Sequence, residues 1–77
     1  MAVLVKIKTN ATLEQIEEAI RSYNTDIKEL DDNQFGIYAA SYDDYHLSVD
    51  NFLDVLYVNL QYEEDNIKVE VLEGVLV

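Results

Sequence analysis

The chain has 77 residues, sixteen acids against five bases, no cysteine and a formal net charge of −11. That length makes one domain, residues 1–77, with a thin core, and an apolar content of 49% is too high for a disordered segment. The missing thiols exclude a disulfide framework and a thiolate zinc centre, and the acidity argues against direct contact with nucleic acid or an anionic membrane.

The N-terminal MAVLVKI lacks a basic leader and is interrupted by Lys6 and Lys8, so a soluble cytoplasmic protein is expected. Residues 2–8 read as a strand with Val3, Val5 and Ile7 on one face. TLEQ at 12–15 matches a capping box, in which Thr12 and Gln15 satisfy each other's backbone donors at a helix start. Asn10-Ala11-Thr12 is formally a glycosylation sequon, but the cap is the reading preferred for Thr12. Leu13, Ile16, Ala19, Ile20 and Tyr23 then recur at helical spacing. Glu14, Glu17, Glu18 and Arg21 form the solvated face, with Glu17 and Arg21 spaced for an i,i+4 pair.

DIKEL at 26–30 reads as a short strand, DDNQ as a turn, and QFGIYAAS at 34–41 as its hairpin partner, with Phe35, Ile37 and Ala39 on one side. Val49, Phe52, Leu53, Leu56 and Leu60 form a helical stripe. Extending it backwards adds Tyr42, Tyr45 and His46, capped by Ser41 with Asp44, and gives one helix to about Gln61. The competing reading makes Tyr45, Leu47 and Val49 an alternating strand and starts the helix at Asp50. The longer helix is preferred. NIKVEVLEGVLV at 66–77 closes the chain as a strand, with Ile67, Val69 and Val71 on one face and Gly74 placed for a bulge or bend.

The order strand, helix, strand, strand, helix, strand predicts an α+β fold of the ferredoxin-like βαββαβ type, an antiparallel four-stranded sheet with two helices on one face. The apolar ends, Met1 to Val5 and Val75 to Val77, would meet and bury one another. If the last strand is an unprotected edge, it would instead pair with a second copy.

No motif names an activity. Ser41 and Ser48 lie near His46 and Asp50, but there is no nucleophile elbow or oxyanion-forming glycine loop. Asp43, Asp44, Asp50, Asn51 and Asp54 offer hard oxygens without the spacing of a calcium loop, and one histidine with no cysteine disfavours zinc. Phe35 and Tyr38 are not set in an RNA-binding pattern, and TNAT after the first strand lacks the glycines or arginine of a phosphate-binding turn. Neither metal nor cofactor is expected, and no enzyme.

Charge placement is the remaining signal. Residues 1–30 hold four bases and five acids, residues 31–77 hold eleven acids and only Lys68, and the thirty-nine residues between Lys28 and Lys68 contain no base. On a helix, Asp50, Asp54, Tyr57 and Gln61 form one row away from the apolar stripe, with Asp43 also outward and Asp44 on the flank. Asp31-Asp32 and Glu63-Glu64-Asp65 cluster in the adjoining loops. Tyr42, Tyr45 and Tyr57 would anchor contacts made by these acids, since tyrosine is enriched at binding hot spots. The expectation is a small non-enzymatic protein that occupies a basic, nucleic-acid-binding surface of a partner protein, acting as a DNA or RNA mimic. In size and acidity the chain resembles phage-encoded inhibitors of host restriction or CRISPR systems. That resemblance is one of composition, covers no motif and assigns no residue. The first alternative is a ferredoxin-like regulatory module that dimerises by sheet extension and binds a partner or small ligand. The second is an enzyme centred on His46 with Asp43, Asp44 or Asp50.

Overall fold

A computed structural model describes residues 2–41, 47–63 and 65–77, with Glu63 described in its backbone only. Its elements are β1 (Val3–Thr9), α1 (Leu13–Ala19), β2 (Tyr23–Asp31), β3 (Gln34–Ser41), α2 (Val49–Glu63) and β4 (Val69–Leu76). The four strands form one sheet in the order β2-β3-β1-β4, every neighbour antiparallel. The molecule is thus of the α+β class, with β1 and β3 in the middle and β2 and β4 at the edges. Among the described residues no helix is long and apolar enough to cross a membrane.

Strict alternation makes β1 a strand with one wet and one dry side. Val3, Val5, Ile7 and Thr9 are buried while Leu4, Lys6 and Lys8 are exposed. Opposite them on β3, Phe35, Ile37 and Ala39 are buried as expected. Ile16, Ala19 and Ile20 from the first helical segment and Phe52, Leu56 and Leu60 from α2 complete the same core, so both helices cover one side of the sheet. Among the described residues no helix covers the other side. Thr9 is the one buried polar residue of the core strands. Its hydroxyl accepts from the Ala11 N–H at 3.1 Å, so it is not left unsatisfied.

The capping box forms as expected. The Gln15 N–H donates to Thr12 Oγ1 at 3.2 Å, and the Thr12 N–H donates to Gln15 Oε1 at 2.9 Å. The helix it opens is shorter than the apolar spacing predicts. It ends at Ala19 with Ile20 as its cap, and Tyr23 belongs to β2. Tyr23 still faces the core, because Tyr23, Thr25 and Ile27 alternate as half-buried residues of an extended strand. Its ring meets that of Phe52 edge-on at 5.2 Å between centroids. Leu13, at the first helical position, is exposed rather than part of the buried stripe. Ending the helix early also changes the charge pairing. Arg21 Nη1 sits 3.1 Å from Glu18 Oε1, not beside Glu17.

The second helix starts later than the preferred sequence reading places it. Leu47 and Ser48 are not helical, α2 begins at Val49, and Ser48 is its cap, its Oγ accepting from the Asn51 N–H at 3.1 Å. Ser41, expected to cap, is the last residue of β3. The proposed helical turns over Tyr42, Tyr45 and His46 lie outside the described residues.

At the β2–β3 hairpin, Asn33 takes a positive φ of 60°, as its place in DDNQ suggests. The register slips by one between Glu29 and Asp31, making Leu30 an extra residue. A second slip falls opposite Lys6 and Ile7 on β4, where Leu72 is the extra residue. Gly74 follows it and lies close under Val49 of α2.

The chain ends do meet, with Ala2 and Val77 exchanging two backbone hydrogen bonds of 2.7 Å. Their expected joint burial does not follow. Val71, Leu72, Val75, Leu76 and Val77 are 41–59% exposed, since β4 is an edge strand on which Val75, in register with Leu4, faces away from the helices and Leu72 is the extra residue of the bulge.

Candidate functional site

The stripe Phe52, Leu56, Leu60 turns one side of α2 inward, so the opposite side is the solvent face. Asp50, Asp54 and Tyr57 are exposed there, as their helical spacing predicts. Gln61 is only half-buried, and its Nε2 donates to Tyr57 Oη at 2.9 Å, which holds the tyrosine ring along the helix. Asp65 is exposed in the turn after the helix. Glu63 is the last helical residue. The remaining expected contacts, Tyr42, Asp43, Asp44, Tyr45 and Glu64, lie outside the described residues.

Two contributions to this face were not expected. Tyr62 is 92% exposed and Val58 62%, the two most open large apolar residues among those described. Asp54, Val58 and Tyr62 make a second outward row at i, i+4 and i+8, a pattern obtained by continuing from Asp54 rather than Asp50. The second contribution is α1, whose Glu14, Glu17 and Glu18 are exposed on the same helical layer. Asn59 ties the two helices together, its Nδ2 donating to the Ala19 carbonyl at 2.7 Å and so satisfying a C-terminal acceptor of α1. The layer therefore carries Glu14, Glu17, Glu18, Asp50 and Asp54. Its one basic residue, Arg21, is held by Glu18 in the only ion pair among the described residues.

Other acids are placed elsewhere. Asp31 and Asp32 sit at the hairpin tip, while Asp26, Glu29, Glu70 and Glu73 lie on the strands. Within the base-free run, Glu29, Asp31 and Asp32 thus stand on β2 and its hairpin turn and Asp50 and Asp54 on α2. What the fold does is keep lysine off the helices, although the strands carry acids as well. Lys6, Lys8 and Lys28 are exposed on the strands, with Lys6 and Lys28 both in register with Gly36, and no lysine stands on either helix. Among the described residues no three His, Asp or Glu side chains are grouped to hold a metal ion.

The chain matches no model of a known protein family and no curated protein.

Proposed function

We propose that this protein is a non-enzymatic binding protein whose acidic helical layer occupies a basic, nucleic-acid-binding surface of a partner protein, in the manner of phage-type inhibitors that mimic DNA or RNA. The carrying observation is a helical layer rich in exposed acids and free of lysine. Five exposed carboxylates stand on the helices, where the only base is already paired, with Tyr57, Val58 and Tyr62 between and beside them. Carboxylates at a rigid surface steer a cationic partner and fix its orientation, while desolvated aromatic contacts slow its release. The order β2-β3-β1-β4 supports placing the fold with the ferredoxin-like split βαβ arrangement, and a cytoplasmic site of action follows from the nature of the partner.

Capture of nucleic-acid-binding proteins from host lysate on the immobilised chain tests this reading. Capture should fall steeply as salt rises, be displaced by duplex DNA, and be lost in Asp50→Lys/Asp54→Lys. Glu70→Lys/Glu73→Lys, on the other side of the molecule, should leave it intact. Capture indifferent to the helical charge reversal or to DNA would refute the mimic.

The bare β4 edge favours a second reading, a module that dimerises by sheet extension. The two edges differ sharply. β2 carries Asp26, Lys28, Glu29 and Asp31, charges of the kind that block edge pairing, whereas β4 has two acids among Val71, Leu72, Val75 and Leu76. A second copy running antiparallel along β4 would pair the free backbone groups and cover those side chains. Light scattering should then report a dimer that persists in high salt and dissociates in Val71→Lys/Leu76→Lys. A monomer at millimolar concentration in high salt rules it out.

A further inference from the structure

The open side of the sheet contains a depression of about 410 Å³, within the span of roughly 300–1,000 Å³ that small-molecule sites occupy. We propose that it binds a small organic monoanion, the anionic group held between the ammonium groups of Lys6 and Lys28 and the apolar or aromatic body lying against Tyr38, Leu4 and Leu30. The inference goes beyond the partner-binding role of the helices and concerns the opposite side of the molecule.

The register builds the site. Lys28 of β2 stands opposite Gly36 of β3, which stands opposite Lys6 of β1, so the three form one row on the open side. Two strand intervals put the lysine Cα atoms roughly 9–10 Å apart. Glycine adds no side chain of its own between them, where Leu30 overhangs, and two flexible stems can bring both ammonium groups to one ligand atom group at the rim. The neighbouring row, Tyr38 opposite Leu4, supplies an aromatic and an aliphatic surface, each nearly half exposed.

Leu30 forms the far wall. As the extra residue of the bulge it reaches over Gly36, so that a Cβ added there would touch Leu30 Cδ1 at 3.4 Å. Such a concave site, mostly apolar with a few convergent polar groups, suits a small ligand better than a flat surface does. Asp26 and Glu73 line the depression together with the lysines, Asp26 two residues before Lys28 and Glu73 in register with Lys6. Neither makes an ion pair within 4.0 Å, since the only one among the described residues is Arg21 with Glu18. The ammonium groups are thus available, and the two acids set the ligand's charge. One negative charge is drawn between the lysines, whereas a second would meet Asp26, Glu73 and a chain of net charge −11.

Anilinonaphthalene sulfonate, a monoanion with an aromatic body, and phenylnaphthylamine, its uncharged counterpart, serve as probes. Fluorescence titration of the full chain should show saturable binding of the sulfonate at one per chain. Backbone amide shifts in heteronuclear NMR should centre on Lys6, Lys28, Gly36 and Tyr38. Lys6→Gln/Lys28→Gln should weaken the sulfonate by about tenfold or more, the loss expected when charge-assisted contacts are removed, while phenylnaphthylamine changes by less than about twofold because it carries no charge for the lysines to hold. Gly36→Val should remove both ligands, with circular dichroism confirming the fold; Gly36→Ala, for which Leu30 leaves room, should weaken both if valine disturbs the sheet. The proposal is overturned by absence of saturable binding, by sulfonate affinity that survives the lysine substitutions, or by shifts on the outer edge of β4 instead.

Discussion

Gly74 marks the place where the helical layer comes closest to the β4 edge, and replacing it by alanine should change sign with its neighbour. A Cβ built there lies 2.9 Å from Val49 Cγ1 and 3.6 Å from Val5 Cγ1. The second distance is an ordinary contact and the first is well inside one. Val49 cannot turn aside easily, because a β-branched side chain in a helix has one strongly preferred χ1. Overpacking of this kind costs about 1–3 kcal/mol. The backbone itself accepts alanine, since neither glycine has a positive φ, and alanine restricts the unfolded chain enough to stabilise by about 0.4–1 kcal/mol. Taking mid-range values, Gly74→Ala should lose about 1 kcal/mol with Val49 present. In a Val49→Ala background the same substitution should gain about 0.4–1 kcal/mol. For a domain this small each kcal/mol moves Tm by about 4–8 °C, well within the resolution of circular dichroism melts on the four-variant cycle. Gly74→Ala that stabilises the wild-type chain, or that costs the same in both backgrounds, refutes the close approach of α2 to β4.

Asn59→Ala removes the bond to the Ala19 carbonyl and should lower stability by about 1 kcal/mol in urea unfolding; an unchanged midpoint would mean that water replaces the amide without loss. Asn10 Nδ2 donates to the Asn66 carbonyl at 3.0 Å while its Oδ1 accepts from the Lys68 N–H at 2.8 Å. Asn10→Ala should therefore speed amide hydrogen exchange at Lys68 and cost about 1–2 kcal/mol, whereas Asn10→Asp, which keeps the acceptor, should protect Lys68. Thr12→Ala, which opens the capping box, should cost about 1 kcal/mol. With sixteen acids and one ion pair among the described residues, Tm should rise from low to moderate salt. A flat response would mean that the acids repel one another too weakly to matter.

Those parts of the fold whose periodicity is undisturbed were legible from the amino acids alone. Alternation in β1 and β3, the capping box at Thr12 and the buried stripe of α2 each satisfy one template without competition. Tyr23 shows where legibility fails. It lies three residues after Ile20 and so continues a helical stripe, and it lies two before Thr25 and so starts a strand alternation. Contact with Phe52 is available to the strand, and tertiary packing decides. The start of α2 is a similar tie, because Ser41 and Ser48 both precede an Asx by three residues and a local cap signal cannot rank them. An apolar terminal strand gives the same pattern whether it is covered or bare. Only the strand order, which puts β4 at an edge of the sheet, leaves most of its side chains exposed.

The open-face site depends on a feature that local patterns conceal. Asp31 pairs with Gln34 across the hairpin turn. Continued without interruption, that register would set Lys28 opposite Ile37 and Ile27 opposite Tyr38, pointing the lysine into the core and the isoleucine to solvent. Burying an unpaired ammonium is far more expensive than one irregular ladder step. The bulge at Leu30 shifts the pairing by one, so that Ile27 meets Ile37 inside and Lys28 meets Gly36 outside. The same extra residue then overhangs Gly36 and becomes a wall of the depression. Core chemistry thus dictates the slip, the slip brings Lys28 into the row of Lys6, and the cationic pair above a glycine arises from residues 22 positions apart in a chain whose charge ledger points only to acids.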